Sequence, residues 1–382
     1  MSKLVALRVN QGPDIPSLIS EVWGSGDAIS VIDMRLDRKL QERQIQALQP
    51  DYIYDERGNL TKTGFNSKLK PGAALVITTS GTTSNPKAVV HTMENLRTSA
   101  LAISSRLSTT TNDHWICSLP ISHIGGMSVI TRSLLTNTAV TVLEKPTPQA
   151  ITGAAAAGGN LISIVLAMMD RIDLSQFKKV LLGAQNPPSN LAANVVTTYG
   201  MTETGSGVFY NGRPLDGVEF KLTDAGEVLI KGPMLATTYR DGRPILDDDG
   251  WLHTDDFATV GPNGSLEVRG RITEIINTGG EKVFPFEVES EILKSQKVAD
   301  CAVIAMPDQK WGEAVIAVLV PKDPTDPPTL GEVTELTRGA LPPWYSPKQI
   351  ILVGSIPRTP LGKPQRRLLA QELLSLGHGR KD

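Results

Sequence analysis

Short apolar runs alternate with amphipathic stretches along the first half of the chain. Residues 28–33, 75–79, 115–119, 139–143, 161–167, 179–182 and 195–198 are rich in Val, Ile, Leu and Ala, are bounded by turn formers, and read as strands. Residues 37–48, 93–107 and 128–135 keep apolar positions at helical spacing and read as helices. Strands alternating with helices imply an α/β fold of layered sheets, in part parallel. Sites in such sheets collect in the loops beyond the C-terminal strand ends.

The texture changes near residue 208. Residues 216–231, 251–260 and 264–270 read as short strands joined by Gly and Asp turns, which predicts a β-rich subdomain over about 208–270. From residue 272 the pattern changes again. A helix over 285–293, strands over 301–305 and 314–320, a Pro-rich linker at 321–328, a helix over 330–341, a strand over 350–353 and a helix over 364–376 predict an α+β unit. The expected domains are a large N-terminal one, 1–271, and a small C-terminal one, 272–382.

Composition narrows the partners. The chain has 382 residues, a net charge of −2 and 5% aromatics, so a nucleic acid is not the expected partner. Two distant cysteines and five scattered histidines offer no disulfide framework and no zinc cluster. The N-terminal apolar stretch is too short for a signal peptide and is interrupted by Arg8, and no stretch reads as a membrane span, so a cytoplasmic location is expected.

Candidate chemistry starts at residues 77–91, ITTSGTTSNPKAVVH. Here an apolar run stops at Thr79, Ser80, Gly81, Thr82 and Thr83, and Lys87 follows Pro86. Hydroxyl donors, close backbone approach at a glycine and one cation suit a polyphosphate. The spacing is not that of a P-loop, because Pro86 stands where the second glycine belongs and Ala88 follows the lysine. By itself this is either a phosphate loop of another kind or a polar turn.

Four further polar segments punctuate the chain. TTYGMTETGSG at 197–207 offers the flat face of Tyr199, close approach at Gly200, the Thr202 hydroxyl and the Glu203 carboxylate; it also reads as a capped strand-to-helix turn. GWLHTDDF at 250–257 places Asp256 where it can accept two ribose hydroxyls, or in a polar turn. Residues 267–289 carry Arg271 at the change of texture and the pair Gly279-Gly280, and also fit an interdomain linker. PRTPLGKPQRRLL at 357–369 presents Lys363 in a Pro-bounded loop, which is otherwise a solvated basic turn.

Together, and in this order, the five segments resemble the acyl-adenylate-forming superfamily of acyl-CoA synthetases, peptide-synthetase adenylation domains and luciferases. The resemblance spans residues 77 to 367. It implies a large adenylating domain and a mobile C-terminal one, with ATP, Mg²⁺ and coenzyme A as cofactor and co-substrates. An acid would attack the α-phosphorus of ATP to give acyl-AMP and pyrophosphate, and a thiol would then displace AMP. On this resemblance Thr79, Ser80, Gly81, Thr82, Thr83 and Lys87 clasp the β- and γ-phosphates, although Ser84 and Ala88 replace two usual glycines. Tyr199 and Gly200 lie by the adenine, Thr202 bonds the α-phosphate, Glu203 holds Mg²⁺, and Asp256 binds the ribose with Arg271 near it. Lys363, on the small domain, offsets charge as pyrophosphate leaves, and Gly279-Gly280 faces the thiol after a domain rotation. The usual pivot residue is here Thr273.

SLPISHIGGMSV at 118–129 corresponds to the family's acyl pocket, with His123 against the carboxylate and Gly205 and Ser206 lining it. SLPISHIGG, LLGAQNPP, YGMTETGSG, GRPLDGVE and GGEKVFPFEVE most resemble the 2-succinylbenzoate–CoA ligases of menaquinone and phylloquinone synthesis. Such a substrate is a dicarboxylate whose second carboxylate needs a seat, for which Arg132 and Ser206 are candidates. The alternatives are a CoA ligase for another aryl or medium-chain acid, transfer to a carrier protein, and a non-catalytic nucleotide-binding regulator. The part before the hydroxyl loop is shorter than in most of the superfamily, which leads to the expectation of a homodimer.

Overall fold

The computed structural model describes residues 2–65, 68–79, 86–183, 187, 190–358 and 362–377. Contacts divide the chain into two compact units. The first comprises Met1–Thr254 and Thr259–Val268; the second comprises Asp255–Ala258 and Arg269–Asp382.

Two seven-stranded sheets build most of the first unit. One runs Thr238–Tyr239, Ala88–Thr92, Ala73–Thr78, Ala28–Val31, Leu4–Arg8, Tyr52–Asp55, Leu60–Lys62. The other runs Arg213–Pro214, Ser206–Tyr210, Val195–Met201, Lys179–Gly183, Leu161–Val165, His114–Cys117, Ala139–Val142. The inner strands are apolar on both faces because both faces are covered: Ala73–Thr78 is buried at every position, and so is Ala28–Val31. Parallel pairing dominates the centres, as between Leu4–Arg8 and Ala28–Val31 and between Lys179–Gly183 and Leu161–Val165. Antiparallel strands one place in from an edge, Ala88–Thr92 and Ser206–Tyr210, carry the candidate site.

Two helices matter for the site. Met93–Leu107 begins at a reciprocal cap in which the Thr92 hydroxyl accepts from Asn95 N at 3.1 Å and Asn95 Oδ1 accepts from Thr92 N at 3.1 Å. It packs against Ile124–Thr136, whose inner residues are buried from Gly126 to Ser133. The second helix starts four residues before the sequence pattern places it, because Gly125-Gly126 hides its first turn from a propensity reading.

The second unit has its own core. Strands Val298–Asp308 and Gly312–Pro321 form a long antiparallel pair, and Gln349–Leu352 adds in parallel. Val288, Ile292, Val303, Val315 and Leu319 are buried on one side of it, and Leu369 and Leu373 of the last helix are buried on the other. The expected linker at 321–328 leaves the strand Gly312–Pro321 as a turn-rich connection exposed over 322–326 and buried again at Pro328. Asp256 and Arg271, expected on the large domain, both belong to this second unit.

Candidate active site

In the first unit the chemistry gathers at one end of the strand Ala88–Thr92. Lys87 precedes it and its carbonyl accepts from Thr79 N at 2.7 Å, which closes the neck of the hydroxyl loop. Ser80, Gly81, Thr82 and Thr83 lie outside the described residues. His91, on the same strand, is fully buried and donates from Nε2 to the Thr202 carbonyl at 2.7 Å. Burial pushes its pKa down to about 4, so the ring is neutral near pH 7.

Thr202 and Glu203 lie in the short 3₁₀ turn Thr202–Thr204 that leaves the strand Val195–Met201. The turn is pinned from several sides. Thr204 Oγ1 accepts from Met201 N at 2.8 Å, Ala236 N donates to the Glu203 carbonyl at 2.9 Å, and Tyr239 OH donates to Glu203 Oε1 at 3.0 Å. Gly200 is required for packing. A Cβ there would meet the Ser206 carbonyl at 2.1 Å, where the pairing with Ser206–Tyr210 shifts register. Tyr199 is half-buried, its ring 5.9 Å from that of Phe209.

Among the described residues no group of three or more His, Cys, Asp or Glu side chains could cage a metal. A single carboxylate fits Mg²⁺, which binds through one or two carboxylates with phosphates and water completing the shell. Glu203 would be that carboxylate.

His123 stands before the helix Ile124–Thr136. Its Nε2 accepts from Arg35 Nη2 at 2.9 Å, and Arg35 also grips Asp33 through Nε at 2.8 Å and Nη2 at 2.6 Å. Burial opposes ionisation of Asp33, but the bonds from Arg35 outweigh it and hold the carboxyl well below its usual range. The sequence reading missed Asp33 and Arg35. Their one signal was a polar residue closing the apolar run 28–33.

Arg132 is 2% exposed, with its guanidinium 4.6 Å from the Trp115 ring. Nη2 donates to Ser206 Oγ at 3.4 Å, and Ser206 donates on to Ser128 Oγ at 3.3 Å. Among the described residues Arg132 Nε and Nη1 have no partner, nor do the buried Trp115 Nε1 and Tyr210 OH. A small cavity beside it is lined by Ser99, Ser128, Thr131, Arg132 and Gly205 among others. Burial lowers the pKa of Arg132, with only Tyr210 opposing. A buried cation without a counter-charge is an anomaly that an anionic ligand resolves.

In the second unit, Arg271 Nε pairs with Asp256 Oδ1 at 3.0 Å. Lys363 retains solvent access, yet the protein packed around its ammonium and repulsion from Arg271 lower its pKa, against attraction from Asp256 and Glu274. Arg366, three residues on, pairs with Glu274 Oε2 at 2.8 Å and with Glu289 Oε2 at 2.8 Å. Thr273 lies in the turn Ile272–Glu274. Gly279 (φ +60°) and Gly280 (φ +89°) adopt the left-handed conformation, and a Cβ on Gly279 would meet the Trp311 ring at 2.9 Å.

A sequence model described as AMP-binding enzyme matches residues 27–240, and one described as AMP-binding enzyme C-terminal domain matches residues 287–363. The chain is 33% identical over 330 residues to a 2-succinylbenzoate–CoA ligase of Listeria monocytogenes, covering 78% of this chain and 70% of that protein. It is 34% identical over 332 residues to a probable 2-succinylbenzoate–CoA ligase of Mycobacterium tuberculosis, covering 80% and 85%. Its fold is that of the o-succinylbenzoate CoA synthetase of Bacillus subtilis in complex with the acyl-adenylate intermediate OSB-AMP (TM-score 0.85, 23% identity, 96% of this chain and 88% of that one). ATP-bound MatB of Rhodopseudomonas palustris shares the fold as well (TM-score 0.82, 21% identity, 98% and 90%). With residues 27–240 and 287–363 matched in order to the two family models, the chain belongs to the AMP-binding enzyme family.

Proposed function

We propose that this chain is an ATP-dependent, AMP-forming acid–CoA ligase and that its acid is 2-succinylbenzoate. The observation that carries the substrate is the repeated identity of 33–34% to 2-succinylbenzoate–CoA ligases across about four-fifths of the chain. The observation that fits a dicarboxylate in particular is Arg132, a buried cation whose free N–H donors adjoin Ser206.

A carboxylate cannot expel oxide, so it is first joined to AMP, a competent leaving group. Lys87 and the hydroxyl loop hold the β- and γ-phosphates, Thr202 bonds the α-phosphate, and the Glu203 carboxylate would hold Mg²⁺, which would supply charge neutralisation at the phosphates. Asp256 binds the ribose beside Arg271, Tyr199 faces the adenine, and Lys363 supplies positive charge as pyrophosphate departs. His123, its Nε2 occupied by Arg35, carries its ring proton on Nδ1 and presents it to the reacting carboxylate. Arg132 and Ser206 seat the other carboxylate. Coenzyme A then attacks acyl-AMP past Gly279-Gly280, releasing AMP and the thioester.

The deciding experiment is pyrophosphate release by the purified protein with ATP, Mg²⁺ and a panel of acids. Release that depends on 2-succinylbenzoate and falls about a hundredfold or more in Lys363→Ala supports the reading. Faster thioester formation from benzoate or octanoate overturns the substrate, and transfer that ignores CoA overturns the acceptor.

A further inference from the structure

We infer that Tyr239 is a positioning residue that aims the Glu203 carboxylate at a magnesium–nucleotide complex while its ring flanks the phosphate-clasping Lys87. This rests on the nucleotide reading of the site and deepens it. Tyr239 lies in a two-residue strand that pairs with Val89 and Val90, immediately after Lys87 and Ala88. The backbone is bonded to both elements, three residues before it and one after: Ala236 N to the Glu203 carbonyl at 2.9 Å, and Arg240 N to the Ala88 carbonyl at 2.7 Å. The side chain then bridges the same two elements. The hydroxyl donates to Glu203 Oε1 at 3.0 Å, and Lys87 Nζ stands 5.5 Å from the ring centroid.

Two groups expected to meet one nucleotide are therefore referred to a single rigid aromatic. Oε1 of Glu203 is held by the phenol, which leaves Oε2 for a cation. A partner that fixes a metal-ligating carboxylate typically changes metal affinity by tenfold or more when removed.

The test is Tyr239→Phe, which keeps the ring and its contact with Lys87 and deletes only the hydroxyl. Mn²⁺ binding to the intact protein with a non-hydrolysable ATP analogue is followed by electron paramagnetic resonance, in the parent, Tyr239→Phe, Glu203→Gln and the double variant. Binding about tenfold weaker in Tyr239→Phe, with no further loss when added to Glu203→Gln, supports the inference. Binding within about twofold of the parent, or losses that add in the double variant, overturns it and leaves the nucleotide reading standing. A parent that binds no Mn²⁺–nucleotide overturns both.

Discussion

Replacing Arg132 by methionine removes a guanidinium that has no counter-charge among the described residues and substitutes an apolar chain of similar length. Two effects bear on stability. Replacing a buried ionic group by a packed apolar one of similar volume ranges from neutral to about 4 kcal/mol stabilising. Losing the contact with Trp115, at 4.6 Å, costs about 1–2 kcal/mol. They nearly cancel, so the thermal midpoint should move little. Catalysis should move far. A charge-assisted contact to a buried carboxylate is worth roughly 2–5 kcal/mol, a thirtyfold to several thousandfold loss in kcat/KM. The assay compares 2-succinylbenzoate with an analogue whose non-reacting carboxylate is an amide. The expected result is a selective loss on the diacid, with the amide turned over equally by parent and variant. Equal losses on both acids, together with a large drop in thermal midpoint, would mean that Arg132 serves the fold alone.

Further outcomes follow from other sites. Arg366→Met leaves Glu289 buried without its cation, costing about 3–5 kcal/mol of second-unit stability by calorimetry. Glu289 already has a raised pKa from burial, so its folded form binds a proton more tightly than the unfolded one; the variant should therefore be least stable at high pH and recover as pH falls. His91 has the opposite sign. Its pKa is depressed to about 4 from 6.5, so stability is lost as pH falls through that window, by about 3 kcal/mol at most, and His91→Gln should flatten the acid limb of a denaturation series. Gly279→Val adds a clash with Trp311 and a strained φ, and should spare pyrophosphate release while thioester formation drops. Thr273→Pro is expected to do the same if that turn is the pivot; equal loss of both half-reactions would exclude it.

What could be read in advance was local chemistry. The helix Met93–Leu107 was legible to the residue because its apolar positions keep helical spacing, and the structure shows Thr92 and Asn95 capping its start. The apolar strands were legible because inner strands of covered sheets are apolar throughout. The helix Pro148–Ala156 was not, since its Ala- and Gly-rich face carries little periodicity. The pair Thr238–Tyr239 was not, because a two-residue strand exists only through its partner Val89–Val90. The site divides the same way. Motif residues such as Glu203 and Lys363 stood out only through the resemblance that the five segments carry together, whereas Arg35, His91 and Tyr239 act through neighbours 88, 111 and 36 residues away. No local pattern announces such contacts.

The strand Leu252–Val260 leaves the first unit at Thr254 and returns to it at Thr259, lending Asp255–Ala258 to the second. The C-terminal unit is thus not a cassette that a single cut can lift out. A graft that exchanged only the sequence after residue 268 with a relative would leave Phe257, packed on Phe284 with ring centroids 5.1 Å apart, and Asp256, paired with Arg271, from one parent inside the other's core. Hybrid ligases made from this scaffold should therefore be spliced at three junctions, 254/255, 258/259 and 268/269, carrying 255–258 along with the tail.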